Sequence, residues 1–322
     1  MAVEHILEAR NLTKVFKIGG LVFGTKLTAV DNVSLALEEK AKILGLVGES
    51  GSGKTTLSRI LLRLIRPTKG EVLYRGKNLF KLRGSELKKY RSEVQPVFQN
   101  PFESFNPFKR VDRYLLGTAL NYGVAESKED AVNVVDEALS IVGLSFNYVR
   151  GKYPHEFSGG ELQRVSIARA LITSPKILIA DEPVSMIDAS LRMEILNVLL
   201  KLKKERKMSM LYITHDLATA YYICDEIAVM YRGSIVEYGS VDEVLTRPAH
   251  PYTKILLECL PEADPRKRWK SEIKLSGLEV KEFEAIGCKF ADRCPFASDK
   301  CFKDRPPEIA VDGRRVRCWL FA

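Results

Sequence analysis

Gly48-Glu49-Ser50-Gly51-Ser52-Gly53-Lys54-Thr55-Thr56 satisfies the pattern G-x-x-x-x-G-K-[ST]. An apolar run with Ile43, Leu44, Leu46 and Val47 precedes it, and an amphipathic run with Leu57, Ile60, Leu61 and Leu64 follows. That is the strand–loop–helix setting a phosphate-binding loop requires. Three glycines let the backbone wrap a polyphosphate with its N–H groups turned inward, and a helix starting near Lys54 adds its positive dipole end. Lys54 is expected to reach the β- and γ-phosphates of a nucleotide, and the Thr55 hydroxyl to ligate Mg²⁺. A plain glycine-rich turn between strand and helix would need neither the lysine nor the threonine.

The 322 residues exceed the usual size of one hydrophobic core, which favours a large domain with an appendage, or two domains. Hydrophobic residues make up 46% and charged residues 28%, as in a soluble globular protein. No apolar run approaches the roughly 20 residues of a membrane span. Met1-Ala2-Val3-Glu4-His5 does not open a signal peptide, so a cytoplasmic protein is expected. The formal net charge of +9 could suit nucleic acid or an anionic membrane face, but the charges are scattered. The densest cluster, Arg266-Lys267-Arg268-Trp269-Lys270, is short and reads as a solvated face.

Upstream of the loop, residues 6–16 alternate as a first strand ending at Phe16; Gly19-Gly20 to Gly24 suggest a hairpin loop, and a second strand spans about 27–37. Downstream come a turn at Pro67-Thr68-Lys69-Gly70, a short strand Glu71–Tyr74 and a helix over 83–92. Val94-Gln95-Pro96-Val97-Phe98-Gln99 follows, then the breakers Asn100-Pro101 and Asn106-Pro107. From Val111 to Leu144 the periodicity is helical, closed by Gly143. Ser158-Gly159-Gly160 opens a further helix through Leu171. Lys176 to Glu182 reads as a buried strand ending on two acids, followed by a helix over 190–206. A strand over 210–214 runs into His215, and strands at 226–231 and 234–238 complete an α/β unit. From about 241 the composition shifts to Pro, charge and Cys.

An apolar strand ending in Asp181-Glu182, far downstream of a phosphate loop, supplies the second half of a nucleotide site. Asp181 is expected to hold Mg²⁺ through water, and Glu182 to orient and polarise the attacking water. The order of motifs resembles the ATP-binding subunits of ABC transporters. The resemblance implies an α/β P-loop NTPase core with an antiparallel β subdomain, a helical subdomain at about 100–172 and a Cys-rich extension. It further implies that Gln99 contacts Mg²⁺ and the attacking water, and that His215 contacts the γ-phosphate. Ser158-Gly159-Gly160-Glu161 would close on ATP held by the opposite subunit, with Asp188 crossing the dimer interface. Phe16 would stack on adenine. The catalytic set is therefore Glu182, His215, Gln99 and Lys54. Ser158 and its adjacent amides suit phosphate because they open a helix N-terminus.

The resemblance narrows to the oligopeptide and dipeptide importer branch. Gln99-Asn100-Pro101-Phe102-Glu103-Ser104-Phe105-Asn106-Pro107 is similar to that branch's Q-D-P-x-x-S-L-N-P, and Tyr153-Pro154-His155-Glu156 also fits. Arg247-Pro248-Ala249-His250-Pro251-Tyr252-Thr253 resembles its H-P-Y-T element, with Gly287-Cys288 and Arg293-Cys294-Pro295 beyond. Asn100 departs from the usual Asp, Glu161 from the frequent Gln, and Ser185-Met186-Ile187-Asp188 from Ser-Ala-Leu-Asp. The expected organisation is a nucleotide-binding domain over 1–240 and an extension over 241–322. The resemblance implies an ATP-hydrolysing import motor for di- or oligopeptides, with oligosaccharide or nickel import as alternatives. The implied partners are a second, related ATPase chain, two transmembrane permeases and, indirectly, an extracytoplasmic solute-binding protein. No nucleic acid is expected, and the location is the cytoplasmic face of the membrane. A DNA-repair ATPase of this class would need a long coiled-coil insertion between Gln99 and Ser158, and a translation-associated one two phosphate loops. A P-loop kinase would leave Ser158-Gly159-Gly160 unexplained.

Cys288, Cys294, Cys301 and Cys318 are spaced C-x5-C-x6-C-x16-C, looser than C-x2-C zinc patterns. Four thiolates can satisfy a four-iron cluster, and the resemblance implies [4Fe–4S] here; Zn²⁺ and unliganded thiols are the alternatives. Cys224 and Cys259 read as packing residues. With every nucleotide motif upstream, the tail reads as separable from hydrolysis.

Overall fold

A computed structural model describes residues 5–18, 25–259, 283 and 285–322. The expected hairpin loop at 19–24 and the basic cluster at 266–270 lie outside them. Strands β1 (His5–Ile18), β2 (Thr25–Glu38), β4 (Lys69–Tyr74) and β5 (Lys77–Asn78) form an antiparallel sheet in the order β2-β1-β4-β5. This is the expected antiparallel element, and both long strands outrun their sequence limits.

The second sheet is built on β3 (Ile43–Val47), β6 (Val94–Val97), β7 (Ile177–Asp181), β8 (Ser209–Thr214) and β9 (Glu226–Tyr231), mutually parallel in the order β9-β3-β8-β7-β6. Parallel sheets are covered on both faces, which explains their unbroken apolar runs. Alternation still sorts the side chains. Leu44, Leu46, Ile179, Leu211 and Ile213 pack in the core shared with the antiparallel sheet and helices α1 (Lys54–Leu61) and α2 (Gly84–Glu93). Ile43, Val47, Leu178, Ala180, Met210 and Tyr212 pack into the opposite core.

That opposite core is covered by α3 (Val111–Tyr122), α4 (Lys128–Ile141), α5 (Phe146–Val149), α6 (Gly159–Leu171), α7 (Ala189–Arg206) and α8 (Leu217–Ile223). The helical stretch expected over 111–144 is divided. Gly123, at φ 73°, ends α3, and Ser127 caps α4 through its hydroxyl, which accepts the Asp130 N–H. Each half keeps helical periodicity, so the break leaves no mark on the apolar pattern.

The region beyond 241 departs furthest from expectation. Strand β10 (Ser234–Ser240) pairs antiparallel with β9 and also with β12 (Arg314–Arg317), which pairs with β11 (Glu308–Val311). The Cys-rich tail therefore lengthens the central sheet to eight strands. Buried Lys289 bonds Asp31 (2.9 Å) and the Arg232 carbonyl (2.6 Å), and Phe290 packs among the rings of Tyr231, His250 and Tyr252.

Candidate active site

The parallel strands deliver three motifs to one edge, their carboxyl ends. The phosphate loop follows β3, Asp181 closes β7, and His215 follows β8. Two of the loop glycines are required by shape. At Gly48 (φ 151°) a Cβ would meet the Met230 carbonyl at 2.1 Å, and at Gly53 (φ 105°) the Ala29 carbonyl at 2.2 Å. Any side chain there would force the loop off the strands that support it.

Lys54 opens α1 and is buried. Its ammonium donates to the carbonyls of Gly48 (2.7 Å) and Glu49 (2.9 Å) and to Ser52 Oγ (3.3 Å). Burial pushes its pKa below the ordinary lysine value, against the pull of Glu182, Asp181 and Glu49. Carbonyl oxygens here occupy donors that a phosphate would satisfy better, because phosphate brings compensating charge. Asp181 is also buried, and desolvation raises its carboxyl pKa, opposed first by Ser58 (3.1 Å) and then by Thr55 (3.4 Å). A desolvated carboxylate beside a threonine hydroxyl suits a hard divalent cation with oxygen ligands.

Glu182 stands one residue beyond β7 in the left-handed region, at φ 48°. Its N–H donates to the Ile213 carbonyl (2.8 Å), and its carbonyl accepts from Ser185 N (3.2 Å) and Oγ (3.0 Å). Such strain persists only where the surroundings over-determine it, as at active sites. The carboxylate is held between two expected partners: Oε2 accepts from Gln99 Nε2 (2.8 Å) and Oε1 lies 3.0 Å from His215 Nδ1. Gln99, Glu182 and His215 line one cavity of about 690 Å³ with residues 48–56 and Phe16. Phe16 is 36% exposed at its mouth, with the Lys14 ammonium 5.0 Å from the ring centre. A free aromatic face at this rim can stack a base.

Ser158, Gly159, Gly160, Glu161 and Asp188 are not among the described residues lining that cavity. Ser158 caps α6: its hydroxyl accepts the Glu161 N–H (3.2 Å), and the Glu161 carboxylate accepts the Ser158 N–H (2.8 Å). The other Glu161 oxygen takes the Tyr148 hydroxyl, the bond that does most to lower its pKa. Glutamate at this position thus serves two donors. Asp188 precedes α7, exposed and with no side-chain cap bond.

Each of the four tail thiols lies within electrostatic reach of the other three. Desolvation raises the pKa of Cys288, Cys294 and Cys318, and each sulfur accepts a backbone N–H two residues on, from Phe290, Phe296 and Leu320. Among the described residues, however, no three His, Cys, Asp or Glu side chains converge closely enough to hold a single metal ion. The zinc alternative therefore has no preformed ion site among the described residues, whereas a four-iron cluster, each iron taking one thiolate, needs the four sulfurs near one another rather than converged on one ion. Cys224 is buried, as expected of a packing residue, whereas Cys259 is half-buried.

The tail nevertheless touches the phosphate loop directly. Arg293, adjacent to Cys294, bonds both Glu49 carboxylate oxygens (3.1 Å each), and Tyr252 of the H-P-Y-T element accepts the Glu49 N–H (3.0 Å). In the sequence Arg293 and Tyr252 stand inside branch motifs with no role of their own marked. A pair 244 residues apart leaves no periodic signal.

Comparisons with known proteins agree with these motifs. A family model described as ABC transporter matches residues 30–185, and one described as oligopeptide/dipeptide transporter, C-terminal region, matches 236–301. The oligopeptide transport ATP-binding protein OppF of Salmonella typhimurium is 41% identical over 282 residues, 87% of this chain and 84% of that protein. AppF of Bacillus subtilis, also an oligopeptide transport ATP-binding protein, is 39% identical over 99% of this chain and 98% of its own. The dimeric post-hydrolysis structure of the ATP-binding cassette MJ0796, bound to ADP and Pi, aligns with TM-score 0.65 and 29% identity. It covers 73% of this chain and 98% of that one.

Proposed function

This chain belongs to the ATP-binding subunits of ABC transporters, in their oligopeptide branch, and from that membership we propose that it is the ATP-hydrolysing motor of a di- or oligopeptide importer. The observation that carries the proposal is the Glu182 carboxylate, held by Gln99 and His215 in the cavity that also contains the phosphate loop. ATP would lie with its phosphates on residues 48–56, its γ-phosphate near Lys54 and His215, and adenine against Phe16. Thr55 and Asp181 would hold Mg²⁺, which supplies charge neutralisation to the phosphates. Glu182 would accept a proton from the attacking water that Gln99 helps to orient. Ser158, Gly159, Gly160 and Asp188 would complete a second chain's nucleotide site, so two ATP molecules would join two chains.

In this reading, residues 1–240 are the motor and 241–322 its branch-specific extension. Among the described residues no helix is long and apolar enough to cross a membrane. As the motor of an importer the chain would sit on the cytoplasmic face, beneath two permeases and beside a second ATPase chain, with a solute-binding protein delivering cargo from outside. Reconstituted with its permeases and second ATPase chain in liposomes enclosing ATP and the ATP-hydrolysing face, with the solute-binding protein outside, it is expected to drive ATP-dependent uptake of radiolabelled oligopeptide. Uptake of nickel or an oligosaccharide with no peptide transport would move the cargo to another class.

The extension would carry a [4Fe–4S] cluster on Cys288, Cys294, Cys301 and Cys318. Mutual proximity of the thiols supports this, as do amide donors to three sulfurs, since such bonds tune iron–sulfur centres. The small unit beyond 285 would gain stability from a metal staple. Anaerobically purified protein is expected to be brown, with broad absorbance near ~400 nm that Cys294→Ser bleaches. Colourless protein holding one zinc would select the alternative, and metal-free protein would leave the tail a structural appendage.

A further inference from the structure

We infer that Arg293 is a positioning residue for the phosphate loop, neutralising Glu49 so that the C-terminal tail sets the affinity of the loop for nucleotide. This rests on the reading of residues 48–56 as the ATP cradle. Glu49 is the second residue of that loop, and it is gripped at three points. Its N–H donates to Tyr252 Oη (3.0 Å), its carbonyl accepts from Lys54 Nζ (2.9 Å) and Ser52 N (3.2 Å), and its carboxylate takes both arms of the Arg293 guanidinium. Two of the three grips come from the region beyond 241.

The arginine is built into place. Its side chain is 10% exposed, it ends the turn Ala291–Arg293, and it also donates to Tyr231 Oη at 3.4 Å. Its charged carbon lies 5.8 Å from the Tyr231 ring centre and 5.7 Å from that of Phe290. A planar fork held against aromatic rings meets a carboxylate with little further ordering cost.

The chemistry explains why such a partner is needed. Glu49 lines the cavity with the rest of the loop, so an unpaired carboxylate there would repel a polyphosphate of like charge. Bonded to Arg293, it presents little net charge, and its backbone stays in the shape from which the loop amides can turn to phosphate. The loop sequence alone carries a negative charge that works against its task, and the tail cancels it.

The test is a double-mutant cycle read by titration calorimetry with ATP in Mg²⁺ buffer. Arg293→Ala should weaken ATP binding roughly 10- to 100-fold, and in a steady-state ATPase assay should raise KM more than it lowers kcat. Glu49→Gln combined with Arg293→Ala should bind ATP more tightly than Arg293→Ala alone, because the repulsive charge has gone. Arg293→Lys, which keeps charge and loses the fork, should fall between wild type and Ala. Wild-type affinity in Arg293→Ala would overturn the inference. So would a double variant as weak as the single one, since Arg293 would then act on folding alone. Failure of the wild-type chain to bind ATP would instead sink the ATP-cradle reading on which the inference stands.

Discussion

Glu182→Gln should lower ATP turnover by roughly 10²–10⁴-fold while leaving ATP binding in place. The amide keeps the shape of the carboxylate and can still bond Gln99 and His215, whose atoms lie 2.8 and 3.0 Å from it. What it lacks is a site to accept the proton of the attacking water. If hydrolysis is what reopens two joined chains, the variant should accumulate as an ATP-bound dimer on size exclusion. A variant that hydrolyses ATP at the wild-type rate would remove Glu182 from the chemistry. A slow variant that stays monomeric with ATP and Mg²⁺ should dimerise once the related ATPase chain is added; if it does not, the sandwich fails.

The nucleotide edge was legible because each of its parts is short and local. A strand, a turn and a helix N-terminus sit side by side in residues 43–61, and the apolar run 177–181 ends on its own acids. Parallel pairing of β3, β8 and β7 then converts three separate carboxyl-terminal ends into one site, a convergence that residue order alone does not display. The left-handed turn at Glu182 was not legible, since nothing in Asp181-Glu182-Pro183 marks a positive φ on a glutamate.

The tail was the least legible part, for a physical reason. Its attachment runs through charge pairs of very long separation: Asp31 with Lys289 and Arg305, Glu49 with Arg293, and buried Glu237 with Arg314. Glu237, fully buried, accepts the N–H groups of Ala249 (2.8 Å) and His250 (3.0 Å) and so fixes the start of the H-P-Y-T element. Buried carboxylates of this kind look in sequence like any surface acid. Composition marked the shift near 241, but could not say that β12 would join the sheet that holds the phosphate loop.

The central claim is that ATP binds with its phosphates on residues 48–56, and Lys54 is where it is most exposed to test. Its ammonium is the buried cation of the loop, satisfied by the Gly48 and Glu49 carbonyls and by Ser52. Lys54→Ala removes the charge that the phosphates would claim, whereas the loop glycines and the Phe16 platform remain. Calorimetric titration with ATP in Mg²⁺ buffer is predicted to give one ATP per wild-type chain, and affinity weakened roughly 10²-fold or more in Lys54→Ala. Equal affinity of the two proteins would contradict the account, because ATP would then be bound somewhere other than this loop.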